Sequence, residues 1–370
     1  MTASDGRSSL GEVARVFLKL GVIGFGGPAA HIALMEDETV RRRGWLSRER
    51  FVDLLGATNL IPGPNSTEMA IHLGRQRAGW RGLIVAGTCF IAPAFVIVLA
   101  CAWAYVRFGS LPAVEGLLYG IKPVIIAVVL QALWGLGRTV IKSPLVATMG
   151  VLSLAMATAG VNELIVLFGA GAVMGGLAWA RTTPNRGRAM GLAVVPFGLT
   201  PLFLFFLKVG SVLFGSGYVL LAFLRADLVD RWRWMTEAQL LDAVAVGQVT
   251  PGPVFTTATF VGYLLGGLPG AVVATLGIFL PSFFFVAISG PLIPRLRRSP
   301  VAGAVLDGVN VASIALMALV TAQLARAAIV NVATVLLAVL GAVLLIRFRT
   351  NSAWLILAGG LAGIALRAFS

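Results

Sequence analysis

Apolar runs, most of them near the roughly 20 residues that cross a lipid bilayer, recur along the whole chain between short polar stretches. Eight of these runs predict membrane helices: 81–106, 112–136, 144–159, 162–180, 268–290, 301–325, 327–346 and 351–368. The pattern therefore predicts an all-α polytopic membrane protein.

Each group of four runs follows three further segments of the same kind. A glycine-rich apolar segment (12–35; 198–224) precedes a polar loop (36–50; 225–237), and a segment interrupted by Pro-Gly-Pro follows (51–74; 238–264). The same order in both parts of the chain indicates that one unit is used twice.

The residues themselves repeat at a constant offset. FLKLGVIGFGG (17–27) aligns with FLKVGSVLFGS (206–216), an offset of 189 that also relates Pro62-Gly63-Pro64 to Pro251-Gly252-Pro253. An offset of 188 then relates Gly74 to Gly262 and Gly120 to Gly308. We predict an N-terminal repeat over 1–180, a basic linker with the start of the second repeat over 181–197, and a C-terminal repeat over 198–370.

The chain has few charged residues, and most of them are basic. Only 12% of the residues are charged and 58% are hydrophobic, yet the formal net charge is +14. The basic residues lie in the short gaps between apolar runs, where they indicate membrane topology rather than nucleic-acid binding. An electropositive interior that attracts anions is a second, compatible interpretation.

Equivalent loops of the two repeats carry opposite charge bias. RRRGWLSRER (41–50) corresponds to DRWRWMTEAQ (230–239), and RQRAGWRG (75–82) corresponds to the uncharged YLLGGLPG (263–270). The positive-inside rule then predicts two inverted repeats. Each would have about five transmembrane helices plus a broken re-entrant segment at its Pro-Gly-Pro motif, with both termini outside.

The two Pro-Gly-Pro motifs are the strongest functional signal. Pro62 ends a first half-helix, Gly63 permits an unusual turn, and Pro64 suits the start of a second half-helix. A helix that begins inside the membrane presents free N–H groups and its positive dipole end, which favour anions. We expect the two motifs to meet near the midplane and form a transporter's binding site; a packing kink is the alternative.

Three lysines lie inside apolar segments, where a cation is rare and usually functional. Lys19 and Lys208 are equivalents, and the counterpart of Lys122 is Asn310. We predict that they bind substrate, with snorkelling toward an interface as the alternative for Lys19 and Lys208.

Polar side chains follow both motifs. Asn65, Ser66, Thr67 and Thr256 are predicted to contact substrate, although hydroxyl groups at a helix start need no function. Glu68 lies one turn into a membrane half-helix, where burial favours the protonated carboxyl group, so it is a candidate proton carrier; a structural acid paired with lysine is the alternative. Asp53 and Asp242 are equivalents for which we favour a structural or gating role, and we predict the same role for Arg43 and Trp45.

Catalytic and metal-binding patterns are missing from the sequence. His31 and His72 are the only histidines and lack metal-ligand spacing, and no nucleophile elbow or P-loop occurs. We therefore expect no enzyme activity, metal or cofactor. His31 either lines the cavity or packs in the core.

The stretches FGGPAAHIALMEDETVRRRGWLSRERFVDLL and GQVTPGPVFTTATFVGYLLGGLPGAVVATLGIFLPSF resemble the chromate transporter family. The resemblance covers both repeats and implies a multi-pass carrier of the bacterial inner membrane that exports chromate. It also implies oppositely oriented halves. The family's motif positions fall on Gly26, Gly27, Pro28, His31, Arg43, Trp45, Asp53, Pro62, Gly63, Pro64, Gly215, Asp242, Gln248, Pro251, Gly252 and Pro253.

One departure from the family pattern bears on mechanism. The typical motif is closer to PGPASSQ, whereas this chain has PGPNSTE, so Glu68 replaces an amide. The departure favours proton coupling. We expect a secondary transporter of chromate or another divalent oxyanion such as sulfate, with a passive anion channel as the alternative and a homodimer left open.

Overall fold

The computed structural model of the protein describes residues 10–25, 27–58, 61–109, 111–180, 197–213, 219–297, 299–348, 350 and 352–368. These residues form fourteen α-helices. In chain order they are α1 (Leu10–Ile23), α2 (Gly27–Glu36), α3 (Arg48–Thr58), α4 (Asn65–Phe108), α5 (Pro112–Val140), α6 (Pro144–Thr158), α7 (Glu163–Ala180), α8 (Leu199–Val212), α9 (Leu220–Phe223), α10 (Glu237–Val249), α11 (Thr257–Arg297), α12 (Pro300–Ala328), α13 (Val332–Phe348) and α14 (Ser352–Ala368).

All eight predicted apolar runs fall on helices, and only the run 327–346 is interrupted, at 329–331 between α12 and α13. The helices confirm an all-α polytopic membrane protein. Four of the described helices are long and apolar enough to cross a membrane unaided: Asn65–Phe108, Val114–Val140, Val254–Ser289 and Pro300–Ala328. Five shorter apolar helices accompany them. The count of ten crossings stays a prediction.

Residues of both repeats contribute to each of two compact units. Unit 1 comprises Met1–Arg107, Leu202–Gly217 and Val246–Pro291, and unit 2 comprises Phe108–Pro201, Tyr218–Ala245 and Leu292–Ser370. Both Pro-Gly-Pro motifs belong to unit 1. The predicted linker lies outside the described residues except for Phe197.

The glycine-rich segment of each repeat is two helices, where the sequence predicted one continuous segment. In the first repeat α1 ends at Ile23 and α2 begins at Gly27, whose φ of +80° lies in the region that only glycine adopts freely. In the second repeat α8 ends at Val212 and α9 begins at Leu220. A helix cannot continue through a positive φ, so the first segment breaks there.

A tight hairpin inside α4 recurs inside α11. Ala78 and Gly79 interrupt α4 (Gly79 φ 60°, ψ −146°), and Gly266 and Gly267 interrupt α11 with nearly the same angles (Gly267 φ 61°, ψ −152°). The two turns differ by the offset of 188 that the sequence predicts. We call 65–77 and 257–265 the first arms and 80–108 and 268–297 the second arms.

The arms pack so closely that only glycine fits between them. A methyl group on Gly74 would collide with the Gly82 carbonyl oxygen, and one on Gly262 with the Gly270 carbonyl oxygen. One turn nearer the start of the second hairpin, Thr259 Oγ1 and Thr275 Oγ1 share a 2.8 Å hydrogen bond. The arms are therefore antiparallel in both repeats.

The polar loop also has the same backbone form in both repeats. A π-helical turn follows α2 (Asp37–Arg42) and α9 (Leu224–Arg231). Positive φ angles follow at Gly44 (57°) and Arg233 (52°), which differ by the offset of 189. Ser47 and Thr236 then cap the next helices, accepting hydrogen bonds from the amides of Arg50 and Gln239.

Unit 2 is built on helices that pack across the repeats. The surface of α5 at Gly120 meets α14 at Gly359 and Gly363, and the equivalent surface of α12 at Gly308 meets α7 at Ala170 and Gly171. Backbones approach this closely only where side chains are small, as is common between membrane helices.

Candidate functional site

The first Pro-Gly-Pro motif is a buried turn between α3 and α4. Residues 61–64 are all buried, and Gly63 has a φ of +138°. The Gly63 amide donates a 2.8 Å hydrogen bond to the carbonyl oxygen of Leu213, at the end of α8. The Pro64 carbonyl oxygen accepts from the amides of Thr67 and Glu68, which closes the first turn of α4.

The second motif repeats this geometry with the roles of the repeats exchanged. Gly252 has a φ of +93°, and its amide donates a 2.8 Å hydrogen bond to the carbonyl oxygen of Gly24, at the end of α1. Gly63 and Gly252 are equivalents, and so are Leu213 and Gly24. Each motif is therefore held by the broken first segment of the other repeat, as in a two-fold symmetric interface.

The two motifs differ in how their polar side chains are satisfied. In the second, the hydroxyl groups of Thr256 and Thr257 donate to the carbonyl oxygens of Pro253 and Val254 at 2.7 and 2.8 Å. In the first, neither the Thr67 hydroxyl nor either Glu68 oxygen has a hydrogen-bond partner among the described residues. Both side chains are fully buried.

Ser282 of α11 completes this group. A methyl group on Gly63 would lie 2.6 Å from Ser282 Oγ and would also collide with the Glu68 carboxyl group, so all three residues meet at one point. Within the described part of the chain, Ser282 Oγ also lacks a hydrogen-bond partner. Buried polar groups without partners are costly, and a bound ligand or water molecule is their usual complement.

His31 supports the second motif from α2. Its Nε2 lies 2.8 Å from the Gly24 carbonyl oxygen that also accepts from Gly252, so the ring nitrogen must be the donor in this contact. The ring is buried and packs edge-on against Phe90. The sequence did not decide whether His31 lines a cavity or packs in the core. The structure places its ring beside the Gly24 carbonyl group.

Lys19 of α1 lies in an ion-pair network with the polar loop, and its predicted role in substrate binding stays a prediction. Its Nζ is 2.9 Å from Glu38 Oε2, and Arg43 Nε is 2.9 Å from Glu38 Oε1. Glu38 lies in the polar loop outside the predicted membrane helices. The Lys19 hydrogen bond holds the pKa of its carboxyl group below the usual range; burial acts in the opposite direction, and Arg43 adds to the lowering.

Arg43 and Trp45, predicted to be structural or gating residues, belong to the same network. Arg43 Nη1 lies 3.0 Å from Glu12 of α1, and the Arg77 guanidinium stacks 5.2 Å from the centre of the Trp45 ring. The network joins α1, the polar loop and the end of the first arm of α4.

Lys122 pairs with Asp242 in unit 2. The Lys122 ammonium group on α5 lies 3.0 Å from Asp242 Oδ1 on α10, whose side chain is 4% exposed. Lys208 lies 5.3 Å from the centre of the Phe205 ring. Asp53 is exposed on α3, although Asp242 is its equivalent.

The remaining predicted site residues fall at or near the motifs. Pro62, Pro64, Pro251 and Pro253 are buried, as is Ser66, whereas Asn65 is half-buried at the start of α4. Gln248 is buried near the end of α10. Gly27 begins α2, and Gly26 and Gly215 lie outside the described residues.

Sequence reasoning missed the carbonyl groups of Gly24 and Leu213 and the hydroxyl group of Ser282. Backbone carbonyl groups leave no signal in a sequence. Ser282 did leave one, since PSF (281–283) stands where the first repeat has PAF (93–95). A polar residue replaces an apolar one beside a proline that the repeat retains.

Comparison with known proteins supports a family assignment. The sequence model of the family described as "Chromate transporter" matches residues 11–176 and 200–364, two ranges that differ by the offsets of 189 and 188. No solved structure matches the chain.

Curated relatives are similar over nearly the whole chain. A chromate transport protein of Cupriavidus metallidurans is 32% identical over 95% of this chain and 91% of its own length. A chromate transport protein of Pseudomonas aeruginosa is 32% identical over 94% and 90%, and a probable one of Synechococcus elongatus is 31% identical over 89% and 88%. The chain belongs to the chromate transporter family.

Proposed function

We propose that this protein is a secondary active transporter that exports chromate or a related divalent oxyanion across the bacterial inner membrane. The oxyanion would bind near mid-membrane, between the half-helices that begin at the two Pro-Gly-Pro motifs. Named chromate transport proteins among the relatives support chromate as the first substrate to test. Sulfate is the alternative.

One observation carries the site assignment: buried polar groups without partners gather at the first motif. The hydroxyl groups of Thr67 and Ser282 are donors for an oxyanion, and the first turn of α4 adds N–H groups and the positive end of a helix dipole. The exchanged hydrogen bonds bring both motifs into unit 1, which supports a shared site.

Inverted repeats with re-entrant segments would supply alternating access. The half-helices around the first motif are short: α3 spans about 16 Å and the first arm of α4 about 20 Å, against a hydrocarbon core of roughly 30 Å. Each is too short to cross alone, as a segment that enters the membrane and returns requires. Opposite loop charges support the inversion.

The proposal is tested with purified protein in liposomes. Counterflow of chromate, sulfate, molybdate and phosphate, with and without a pH gradient, should reveal saturable uphill exchange of at least one oxyanion. A channel is the second candidate, and unitary currents in a planar bilayer without uphill exchange would favour it.

Thr67→Val tests the site. The Thr67 hydroxyl has no partner among the described residues, so its removal should not lower the free energy of unfolding, yet it should weaken chromate binding by about tenfold through one lost hydrogen bond. The control is Thr321→Val on α12, where the hydroxyl donates to the Met317 carbonyl oxygen of its own helix. Unchanged affinity in Thr67→Val would refute a site at the first motif.

A further inference from the structure

We propose that Glu68 takes up one proton together with each oxyanion, so that protons and divalent oxyanions cross the membrane in the same direction. The inference rests on the proposed function and adds the sign of its coupling. It also makes the two repeats unequal, with a proton site in the first repeat only.

The position of Glu68 supports a neutral, hydrogen-bonding carboxyl group. Glu68 lies in the first turn of α4 and is fully buried. A methyl group on Gly63 would collide with its carboxyl group and would lie 2.6 Å from Ser282 Oγ, so Gly63 lies between the two side chains. Neither oxygen meets a hydrogen-bond donor in the parts of the chain that the structure describes. A carboxylate isolated in this way is unfavourable, whereas the protonated acid can donate to an oxygen of a bound anion.

The charged groups of the neighbouring elements are engaged elsewhere. On the first arm itself, Arg75 donates to the carbonyl oxygens of Val286 and Ala287, and Arg77 pairs with Glu12 of α1. His72 lies one turn beyond Glu68, and its ring interacts electrostatically with the guanidinium groups of Arg75 and Arg50. Lys19 of α1 pairs with Glu38.

The other packed elements add little charge. Arg48, Glu49, Arg50 and Asp53 are exposed on α3, and α8 carries Lys208. The stretch of α11 from Thr257 to Ser289, which includes Ser282, contains Tyr263 as its one titratable side chain. Among the described residues, none of these groups forms an ion pair with Glu68.

The sign of the coupling follows from like-charge repulsion. A divalent oxyanion at the first motif and an ionised Glu68 would be two anions in a poorly solvated site, and each would disfavour the other. The protonated acid removes this repulsion. Because linkage is reciprocal, oxyanion binding must favour proton binding, and a proton must favour oxyanion binding. An exchanger would require the opposite relation.

The second motif offers no equivalent proton site. Thr257 stands where Glu68 stands in the first repeat, and its hydroxyl donates to the Val254 carbonyl oxygen. Ala94 stands where Ser282 stands, and it faces Gly252. One proton per oxyanion leaves a net charge of one to cross with each dianion, so a negative interior drives export while an inward proton gradient opposes it.

The test is simultaneous measurement of chromate and protons in proteoliposomes. Wild-type protein is reconstituted with a pH-sensitive dye inside, potassium and valinomycin clamp the membrane potential, and chromate is added at a pH where it is fully dianionic. We expect the lumen to acidify as chromate enters. In Glu68→Gln, the ratio of protons to chromate taken up should fall at least about tenfold, and the chromate affinity should no longer decline with rising pH.

Matched variants separate the loss of proton coupling from a general loss of folding or transport. Glu68→Asp keeps a carboxyl group and should keep acidification, and Thr257→Val should keep the pH dependence of wild type. Two outcomes would overturn the proposal. The first is chromate entry through the wild-type protein with a constant or more alkaline lumen, a result that does not depend on whether Glu68→Gln folds. The second is full acidification of the lumen by Glu68→Gln. Absence of wild-type movement of chromate, sulfate and molybdate alike would instead refute the proposed function itself.

Discussion

At the scale of single residues, Gly63 and Gly252 meet three demands at once. Each adopts a positive φ, each donates its amide to the opposite repeat, and each leaves no room for a side chain. The atoms that a methyl group would meet differ: at Gly63 they belong to the polar side chains of Glu68 and Ser282, and at Gly252 they belong to Ala94. The same backbone device therefore presents a polar surface in one repeat and an apolar surface in the other.

Gly63→Ala should be strongly destabilising. The methyl group adds the strain of a positive φ, about 1–2 kcal/mol, to a collision with buried side chains of about 1–3 kcal/mol. We expect the free energy of unfolding in detergent to fall by about 2–5 kcal/mol, measured by denaturant titration of tryptophan fluorescence.

Gly44→Ala is the control for strain alone. Gly44 also has a positive φ, but a methyl group there would meet no described atom within 4 Å. It should cost about 1–2 kcal/mol. Equal losses in Gly44→Ala and Gly63→Ala would contradict the packing assigned to the first motif.

Glu38 should make stability depend on pH in the acidic range. Its pKa in the folded protein lies below the ordinary value of 4.5, because Lys19 and Arg43 stabilise the carboxylate. The stabilisation is therefore fully present above pH 4.5 and is lost as the pH falls through the folded pKa. Glu38→Gln should lower the free energy of unfolding by about 1–2 kcal/mol at neutral pH.

Thermal unfolding of wild type and Glu38→Gln across a pH series measures this difference. The gap in Tm should be constant above pH 4.5 and should close at lower pH. Glu115→Gln removes a pair with Arg367 in which both side chains are about half exposed, and it should change stability by less than about 1 kcal/mol. A gap that widened on acidification would show that the sign is wrong.

At the scale of elements, each long helix after a Pro-Gly-Pro motif is a hairpin closed by glycine. Gly74 and Gly82 in α4, like Gly262 and Gly270 in α11, bring backbone against backbone. Such contacts cannot yield as a flexible side chain would. The first arms are thus held against the second arms, and the motifs at their starts are positioned by the hairpins.

Gly74→Ala and Gly262→Ala should destabilise the protein to a similar extent. Each methyl group would strike a carbonyl oxygen of the opposing arm, so we expect losses of about 1–3 kcal/mol in the free energy of unfolding. In Gly135→Ala, on α5, the new methyl group would meet no described atom within 4 Å. That variant should gain about 0.5–1 kcal/mol from helix propensity. A gain in all three would argue against the hairpins.

The Lys122–Asp242 ion pair joins two helices of unit 2. Lys122→Met leaves the buried Asp242 carboxylate without this cation, and we expect the free energy of unfolding to fall by about 3–5 kcal/mol. Lys142→Met removes an exposed lysine and should have almost no effect. Reversal of the pair, with Lys122→Asp and Asp242→Lys combined, should recover part of the loss, and no recovery would mean that the ion pair is not the source.

At the scale of the whole molecule, the constant offset made much of the fold predictable. The helical runs, the Pro-Gly-Pro breaks and the Gly74–Gly262 equivalence were all visible in the sequence. The break between α1 and α2 was not, because a glycine-rich apolar run can be one helix or two. The bonds from Gly63 to Leu213 and from Gly252 to Gly24 were also hidden, because local patterns do not encode pairing between distant carbonyl groups.

The predicted lysines show the same limit. Their burial in apolar runs identified them, but partner choice depends on tertiary structure, and Lys19 and Lys122 are paired with Glu38 and Asp242. Glu68 was identified correctly as buried. That Glu68 and Ser282 lie on either side of Gly63 could not be predicted, because the two residues are separated by most of the chain.

Inversion of the repeats is tested by the two equivalent cap residues. Ser47 and Thr236 are both exposed, and each caps the helix that leads to a Pro-Gly-Pro motif. In a background with Cys89→Ala and Cys101→Ala, a single cysteine is introduced as Ser47→Cys or Thr236→Cys. Cysteine at either cap should cost about 1 kcal/mol, a loss that both variants share.

A membrane-impermeant maleimide then reports the side of each residue. Because the loop around Ser47 is strongly basic and its counterpart is not, we expect Ser47→Cys to be labelled only after permeabilisation and Thr236→Cys to be labelled in intact cells. Labelling of both from one side would make the repeats parallel. Two parallel repeats would place both loops on one face of the membrane. The exchanged hydrogen bonds between the motifs would then relate the two repeats by an axis normal to the membrane. That symmetry is incompatible with alternating access by inverted repeats.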